Sequence, residues 1–154
     1  MPSARRAAIT AFIESRWFGT EMIIRGEVID MTTPDGVVAY QDDAIVGLIT
    51  YAIQDGECEI LSLDSLIERQ GLGTELIQQV IAIARAAECR KVKVITTNDN
   101  LNALRFYQKR GFDMVRLYHN SLARARELKP SIPLTGEFDI PLRHEIELEM
   151  QLAP

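Results

Sequence analysis

Apolar residues recur at intervals of three and four between Gly73 and Glu88: Leu76, Ile77, Val80, Ile83, Ala84 and Ala87 fall on one side, with Glu75, Gln78, Gln79, Arg85 and Glu88 on the other. This matches the turn of an α-helix, so the spacing predicts one amphipathic helix. Upstream, "VVAYQ" (37–41), "AIVGLITYAI" (44–53) and "CEILSL" (58–63) are β-branched or apolar runs separated only by "DD" and "QDGE". Separators that short suit hairpins, and the three runs read as an antiparallel meander. Downstream, "KVKVITT" (91–97) alternates as a strand, "NLNALRFYQKR" (100–110) reads as a short helix stopped at Gly111, and "FDMVRLYH" (112–119) returns to strand. Strand, helix and strand in succession form a crossover, which makes the strands at 57–63 and 91–96 parallel neighbours.

The ends are less regular. Ala7, Ala8, Phe12 and Ile13 predict a helix over 4–16 that ends near Trp17–Gly19, and "TPDG" at 33–36 is turn chemistry. "SLARAREL" (121–128) reads as a helical turn or two, "KPSIPLTGEFDIPLR" (129–143) as a punctuated loop, and "EIELEMQL" (145–152) as a closing strand. "RARELKPSIP" is longer than a tight connection needs and points to a lid or a dimer element.

With 154 residues, 47% of them hydrophobic and 25% charged, the chain fits a single domain over 1–154. A net charge of −5 argues against a general nucleic-acid binder. Cys58 and Cys89 lack disulfide or zinc spacing and read as core thiols in a reducing cytosol. Glu14 and Arg16 interrupt the first apolar run before a signal core or membrane span forms. The expectation is a soluble, cytoplasmic protein with no membrane partner and no metal.

Gly71 and Gly73 stand at the mouth of the long helix, where glycine weakens the first turn unless bare backbone is required. One reading is a tight strand-to-helix turn needing positive φ. The other is an anion cradle, because the first N–H groups of a helix lack intrahelical partners and carry partial positive charge. A Walker loop would need Lys and then Ser or Thr after the second glycine, and a dinucleotide fingerprint a third glycine where Leu76 stands; "GLGTEL" offers neither.

The order of elements, "RQGLGT" after a strand, and "NLNALRFYQKRGF" about thirty residues later together resemble the GNAT acetyltransferase superfamily. The likeness covers 37–119 well and 120–154 as a closing hairpin. It implies a mixed α/β (α+β) fold: a mostly antiparallel central sheet with a splayed parallel pair and flanking helices. It also implies transfer of an acetyl group from acetyl-CoA to a primary amine, with a homodimer as a family expectation. The acceptor is taken as a small molecule, the alternatives being a protein N-terminus or lysine, or a noncatalytic acyl-CoA-binding module. The resemblance puts the pantetheine arm along Leu61, Ser62 and Leu63 and the pyrophosphate on the backbone of Arg69, Gln70, Gly71, Leu72, Gly73 and Thr74. Glu68 stands where the family carries Gln or Arg and is expected to face solvent. Asn100 falls at the family's asparagine near the arm, with Phe106 and Tyr107 beside the thioester. Asn100 could equally cap its helix, Arg69 be solvated and Phe106 be core.

Acetyl transfer requires a neutral amine, and the departing thiolate gains from a proton. Tyr107 matches the family's acid by position, its alternative being a packed tyrosine. Glu59 is the candidate base, placed by strand alternation on the face of Leu61, Leu63 and Glu57, its alternative being a structurally paired carboxylate. Trp17 is a candidate acceptor platform or an ordinary partly buried aromatic. His119 and His144 show no metal-like or triad-like arrangement.

Overall fold

The computed structural model describes residues 9–13, 21–24, 27–30, 34–66 and 71–152. Residues 9–13 are helical (α1), and Phe12 and Ile13 are buried as the pattern requires. A two-stranded antiparallel hairpin follows, β1 (Glu21–Ile24) and β2 (Glu27–Asp30), which the apolar pattern did not disclose. Trp17 and the proposed end of the first helix lie outside the described residues.

The meander forms as expected: β3 (Asp35–Gln41), β4 (Ala44–Gln54) and β5 (Glu57–Ser65) pair antiparallel in succession. Of the turn expected at 33–36, Asp35 and Gly36 already belong to β3, opposite Tyr51 and Thr50. Gly36 serves close backbone approach, since a Cβ there would lie 2.8 Å from the Ile49 carbonyl oxygen. Helix α2 (Leu72–Ala86) then crosses to β6 (Lys91–Thr97), which lies parallel to β5. Helix α3 (Leu101–Lys109), β7 (Asp113–Tyr118), α4 (Ser121–Leu128) and β8 (Glu145–Gln151) complete the chain. The last strand inserts between β6 and β7, giving a six-stranded sheet of order β3-β4-β5-β6-β8-β7.

Leu76, Ile77, Val80 and Ala84 of α2 pack with Leu104 and Tyr107 of α3 on Ile49, Cys58, Ile60, Val92, Val94 and Leu148. Ala87, expected on this apolar side, is instead the exposed cap that ends the helix. Burial pushes the Cys58 thiol up to about 12, so it is an inert core thiol. The opposite sheet face carries a second cluster, Ile9, Phe12, Ile13 and Ile24 against Leu48 and Leu61.

Beyond that cluster the same face is charged. Lys91 Nζ reaches Glu149 at 2.8 Å and Glu57 at 3.3 Å, and Lys93 reaches Glu57 at 3.4 Å. Burial raises the Glu57 carboxyl, but the bonds and charges of Lys91 and Lys93 outweigh it and hold the group below the usual range.

Two irregularities shape what lies between β5 and β6. Their parallel pairing stops at Ile60↔Val94, although both strands run on. At the same point the register of β4 on β5 jumps from Tyr51↔Ile60 to Thr50↔Ser62, leaving Leu61 as an extra residue. Beyond the bulge β5 stays with β4, tied by a 2.6 Å hydrogen bond between the Thr50 and Ser62 hydroxyls, while β6 stays with β8 through Thr97↔Glu145. Each strand keeps its outer neighbour and loses the inner one, so the sheet opens.

The bulge also corrects the strand alternation. Leu61 joins the α1-side cluster, whereas Leu63 packs with the α2 and α3 side. Glu59 therefore does not share a face with Leu63, because the extra residue reverses the parity of everything after it.

Candidate active site

The opening is a cleft of about 180 Å³ lined by Ile60, Leu61, Ser62 and Leu63 from β5, by Val94 to Thr97 from β6, and by Asn100, Ala103, Tyr107 and Glu145. A wider trough of about 430 Å³ continues from it, sharing Leu63, Asn100, Ala103 and Tyr107 and running outward along Gly71, Leu72, Gly73, Thr74, Phe106 and Arg110. One continuous channel thus joins the start of α2 to the gap in the sheet.

The glycines answer different needs. Gly71 caps α2 with φ of 73° and, among the described residues, nothing within 4 Å of where a Cβ would stand, so it supplies the left-handed turn and adds no side chain of its own over the backbone. Among the described residues no side chain caps this end, and Glu75 bonds back through its N–H to the Gly71 carbonyl. The N–H groups of Leu72, Gly73 and Thr74 precede that bond. Gly73 serves packing: a Cβ there would lie 3.3 Å from the Phe106 ring.

Phe106 carries the next layer. The Arg110 guanidinium lies 3.7 Å over its ring, donates from Nη1 to the Phe106 carbonyl at 2.9 Å, and donates from Nε to Thr74 Oγ1 at 2.8 Å. Accepting from Arg110 leaves the Thr74 hydroxyl proton to donate elsewhere. Arg110, which the glycine motif did not implicate, is thereby brought to the start of α2. Its signal was the i, i+4 spacing from Phe106 on one helix face.

Asn100 caps α3, accepting from the Ala103 N–H at 3.1 Å, and also borders both parts of the channel. Tyr107 is 5% exposed, its ring held between Phe106 and Phe112 at centroid distances of 5.3 Å. Burial, with a smaller contribution from the Asp64 charge, raises its pKa above the ordinary 10.0, so the phenol stays protonated.

Glu59 is placed elsewhere. It pairs in register with Lys93 before the strands part, and lines a different cavity of about 150 Å³ with Ala52, Gln54, Asp55, Glu57 and Lys93. Glu145, which the sequence reading did not single out, is the carboxylate on the cleft wall and is 3% exposed. Glu68, Arg69 and Gln70 lie outside the described residues. Among the described residues no group of three or more His, Cys, Asp and Glu side chains is arranged to hold a metal ion, and no helix is long and apolar enough to cross a membrane.

The excursion between β7 and β8 is clamped beside the cleft. Asn98 donates to the Pro141 carbonyl and accepts from the N–H groups of Arg143 and His144, all at 2.9 Å. Buried Asp99 accepts from the Thr97 hydroxyl and from the Glu137 N–H. Arg126 donates to the carbonyls of Pro133 and Leu142, and Leu122, Ala125, Ile132 and Leu142 form a small core of their own.

The model of the acetyltransferase (GNAT) family matches residues 7–112. The chain belongs to that family. It is an acyltransferase, and of the residues that the GNAT resemblance assigned to the donor, Leu61–Leu63, Gly71–Thr74, Asn100 and Phe106 line the channel. It is similar to the uncharacterized proteins YxbD and YdhI of Bacillus subtilis (strain 168). The first is 42% identical over 94% of this chain and 91% of the relative. The second is 45% identical over 90% and 87%. Among solved structures it resembles a GNAT family acetyltransferase from Elizabethkingia anophelis with acetyl-CoA bound, at a TM-score of 0.69 and 24% identity, covering 79% of this chain and 78% of the other.

Proposed function

We propose that this GNAT protein is an acetyl-CoA-dependent N-acetyltransferase acting on a primary amine of a small molecule. The observation that carries the reading is the continuity of the channel from the start of α2 to Tyr107 at the gap. Its two ends suit the two ends of the donor. The α2 N–H groups, the Thr74 hydroxyl and Arg110 suit a pyrophosphate. Beyond Ile60↔Val94, where the described pairing of β5 with β6 ends, the inner edges of Leu61–Leu63 and Ile95–Thr96 offer backbone donors and acceptors to an amide-bearing arm. The bound acetyl-CoA of the Elizabethkingia structure supports this choice of donor.

The chemistry then follows from Tyr107. Its protonated phenol can donate to sulfur as the C–S bond breaks, and its burial keeps water from competing.

Calorimetric titration with acetyl-CoA tests the donor, with micromolar affinity expected. Release of free thiol in the presence of tyramine, spermidine, glucosamine, a short peptide with a free N-terminus and hydroxylamine tests the acceptor. Absence of acetyl-CoA binding would overturn the reading, and acetylation of the peptide alone would move the acceptor class to protein N-termini.

Arg110→Met keeps a long apolar side chain over Phe106 but removes the guanidinium. Acetyl-CoA affinity should fall about tenfold, the scale of one charge-assisted contact. An unchanged affinity in the same titration would make Arg110 a packing residue.

A further inference from the structure

On β8, Ile146, Leu148 and Met150 pack with the core under α2 and α3. Strand alternation therefore turns Glu145, Glu147 and Glu149 to the opposite sheet face. Along that row Glu149 takes the Lys91 ammonium at 2.8 Å and Glu147 accepts from the Tyr118 hydroxyl at 2.8 Å, while Glu145 stands on the cleft wall. Tyr107 reaches the same cleft from the other side, as a member of the α2 and α3 core. The gap thus has a phenol on one face of the sheet and a carboxylate on the other.

Acyl transfer calls for that separation. The donor channel, with the start of α2, Phe106 and Arg110, opens on the face that bears α3. A nucleophile attacking the thioester carbon must come in away from the bulk of the donor, and here the far side of the gap is the one Glu145 borders. We infer that Glu145 is the catalytic base, taking the proton of an acceptor amine that reaches the thioester from the sheet face opposite the donor.

The inference rests on the acetyltransferase reading above. The acceptor arrives as an ammonium, whose charge a buried carboxylate attracts. It gives one proton to Glu145, and its freed lone pair forms the C–N bond at the thioester carbon. As the tetrahedral intermediate collapses, the C–S bond breaks with its electron pair on sulfur. Tyr107 supplies that sulfur with a proton and recovers one from the amide nitrogen, so the net proton released to solvent is the one Glu145 took. Thr97 and Tyr118 are the residues opposite Glu145 on the two flanking strands, and Glu147 and His144 its nearest ionisable neighbours on β8 and the preceding turn.

The test compares Glu145→Gln with the wild type on two nucleophiles, using the most rapidly acetylated alkylamine of the panel and hydroxylamine. The alkylamine is protonated at neutral pH and needs a base, whereas hydroxylamine is largely neutral and does not. Expected is a fall of about 100-fold in kcat with the alkylamine, the usual scale of general-base loss. The fall with hydroxylamine should be several-fold at most, and calorimetric affinity for acetyl-CoA should be unchanged. Equal losses on both nucleophiles, no loss at all, or transfer of the loss to Glu59→Gln would each overturn the assignment. If Glu145→Gln does not bind acetyl-CoA, Glu145→Asp carries the same comparison with the carboxylate drawn back by one methylene. A wild-type protein that does not bind acetyl-CoA would instead remove the acetyltransferase reading itself.

Discussion

Replacing Tyr107 with Phe should lower kcat for acetyl transfer by about 10²–10³-fold while leaving the KM for acetyl-CoA within a factor of two or three. The ring is what Phe106 and Phe112 hold at 5.3 Å, and the substitution keeps it. What is lost is one oxygen, and with it, in the role proposed for Tyr107, the proton offered to the leaving sulfur. A loss of 10²–10³ corresponds to about 3–4 kcal/mol of transition-state stabilisation, a common scale for a single general acid. The pH dependence has a definite sign. Burial, and secondarily Asp64, raises the phenol's pKa, so the acid form that works is retained at every pH below its ordinary 10.0. The rate should therefore show no alkaline decline from this group up to about pH 10, and any earlier decline would belong to another residue. Steady-state rates across pH, measured beside Tyr107→Phe, check both points. Full activity in the variant would show that sulfur is protonated by solvent and that Tyr107 serves packing.

Much of the architecture was legible because its signals are periodic. The three and four spacing of Leu76, Ile77, Val80 and Ala84 gave α2, and these are its buried residues. The alternation of "KVKVITT" gave β6, and the strand–helix–strand order gave its parallel pairing with β5. Two features carry no such signal. The bulge at Leu61 is a mismatch between two strands, and neither strand shows it alone. The insertion of β8 between β6 and β7 is a choice among neighbours that period-two alternation cannot express.

The site divides along the same line. Gly71 and Gly73 stood out because glycine is unusual at the start of a helix, whereas Asn100 and Tyr107 stood out only through the resemblance to the GNAT motif. Arg110 did not, because a cation at a helix end already has an explanation in the helix dipole. Its contact with Thr74, 36 residues away, exists only after Gly73 admits Phe106 against α2. Glu145 was equally silent: in "EIELEMQL" it is one of three evenly spaced acids, and only the opening between β5 and β6 distinguishes it from Glu147 and Glu149. Glu59 illustrates the converse, a residue given weight by the strand it lies in but set before the point where that strand separates from β6.

Gly136→Ala should destabilise the protein by about 3 kcal/mol, although its backbone, at φ of −102°, suits any residue. The obstacle is Asp99. A Cβ on Gly136 would stand 2.0 Å from Asp99 Oδ2, 2.5 Å from its Cγ and 3.0 Å from its Cβ, so rotating the carboxylate does not fully clear it. Asp99 is 5% exposed and holds the Thr97 hydroxyl and the Glu137 N–H. Displacing it breaks two charge-assisted hydrogen bonds, each worth about 1.5–3 kcal/mol, and leaves a buried carboxylate without them. For a chain of this length about 3 kcal/mol lowers Tm by roughly 6–12 °C. The origin of the loss can be isolated, because Asp99→Ala removes the obstacle as well as the anchor. In the double variant Gly136→Ala should add little to the cost of Asp99→Ala, a strongly sub-additive cycle. Full additivity, or a single Gly136→Ala variant melting with the wild type, would show that the excursion between β7 and β8 accommodates the methyl group by moving rather than by displacing Asp99. Because Asp99 directly precedes the cleft-lining Asn100, the same variant should also blunt acetyl transfer more than its stability alone requires.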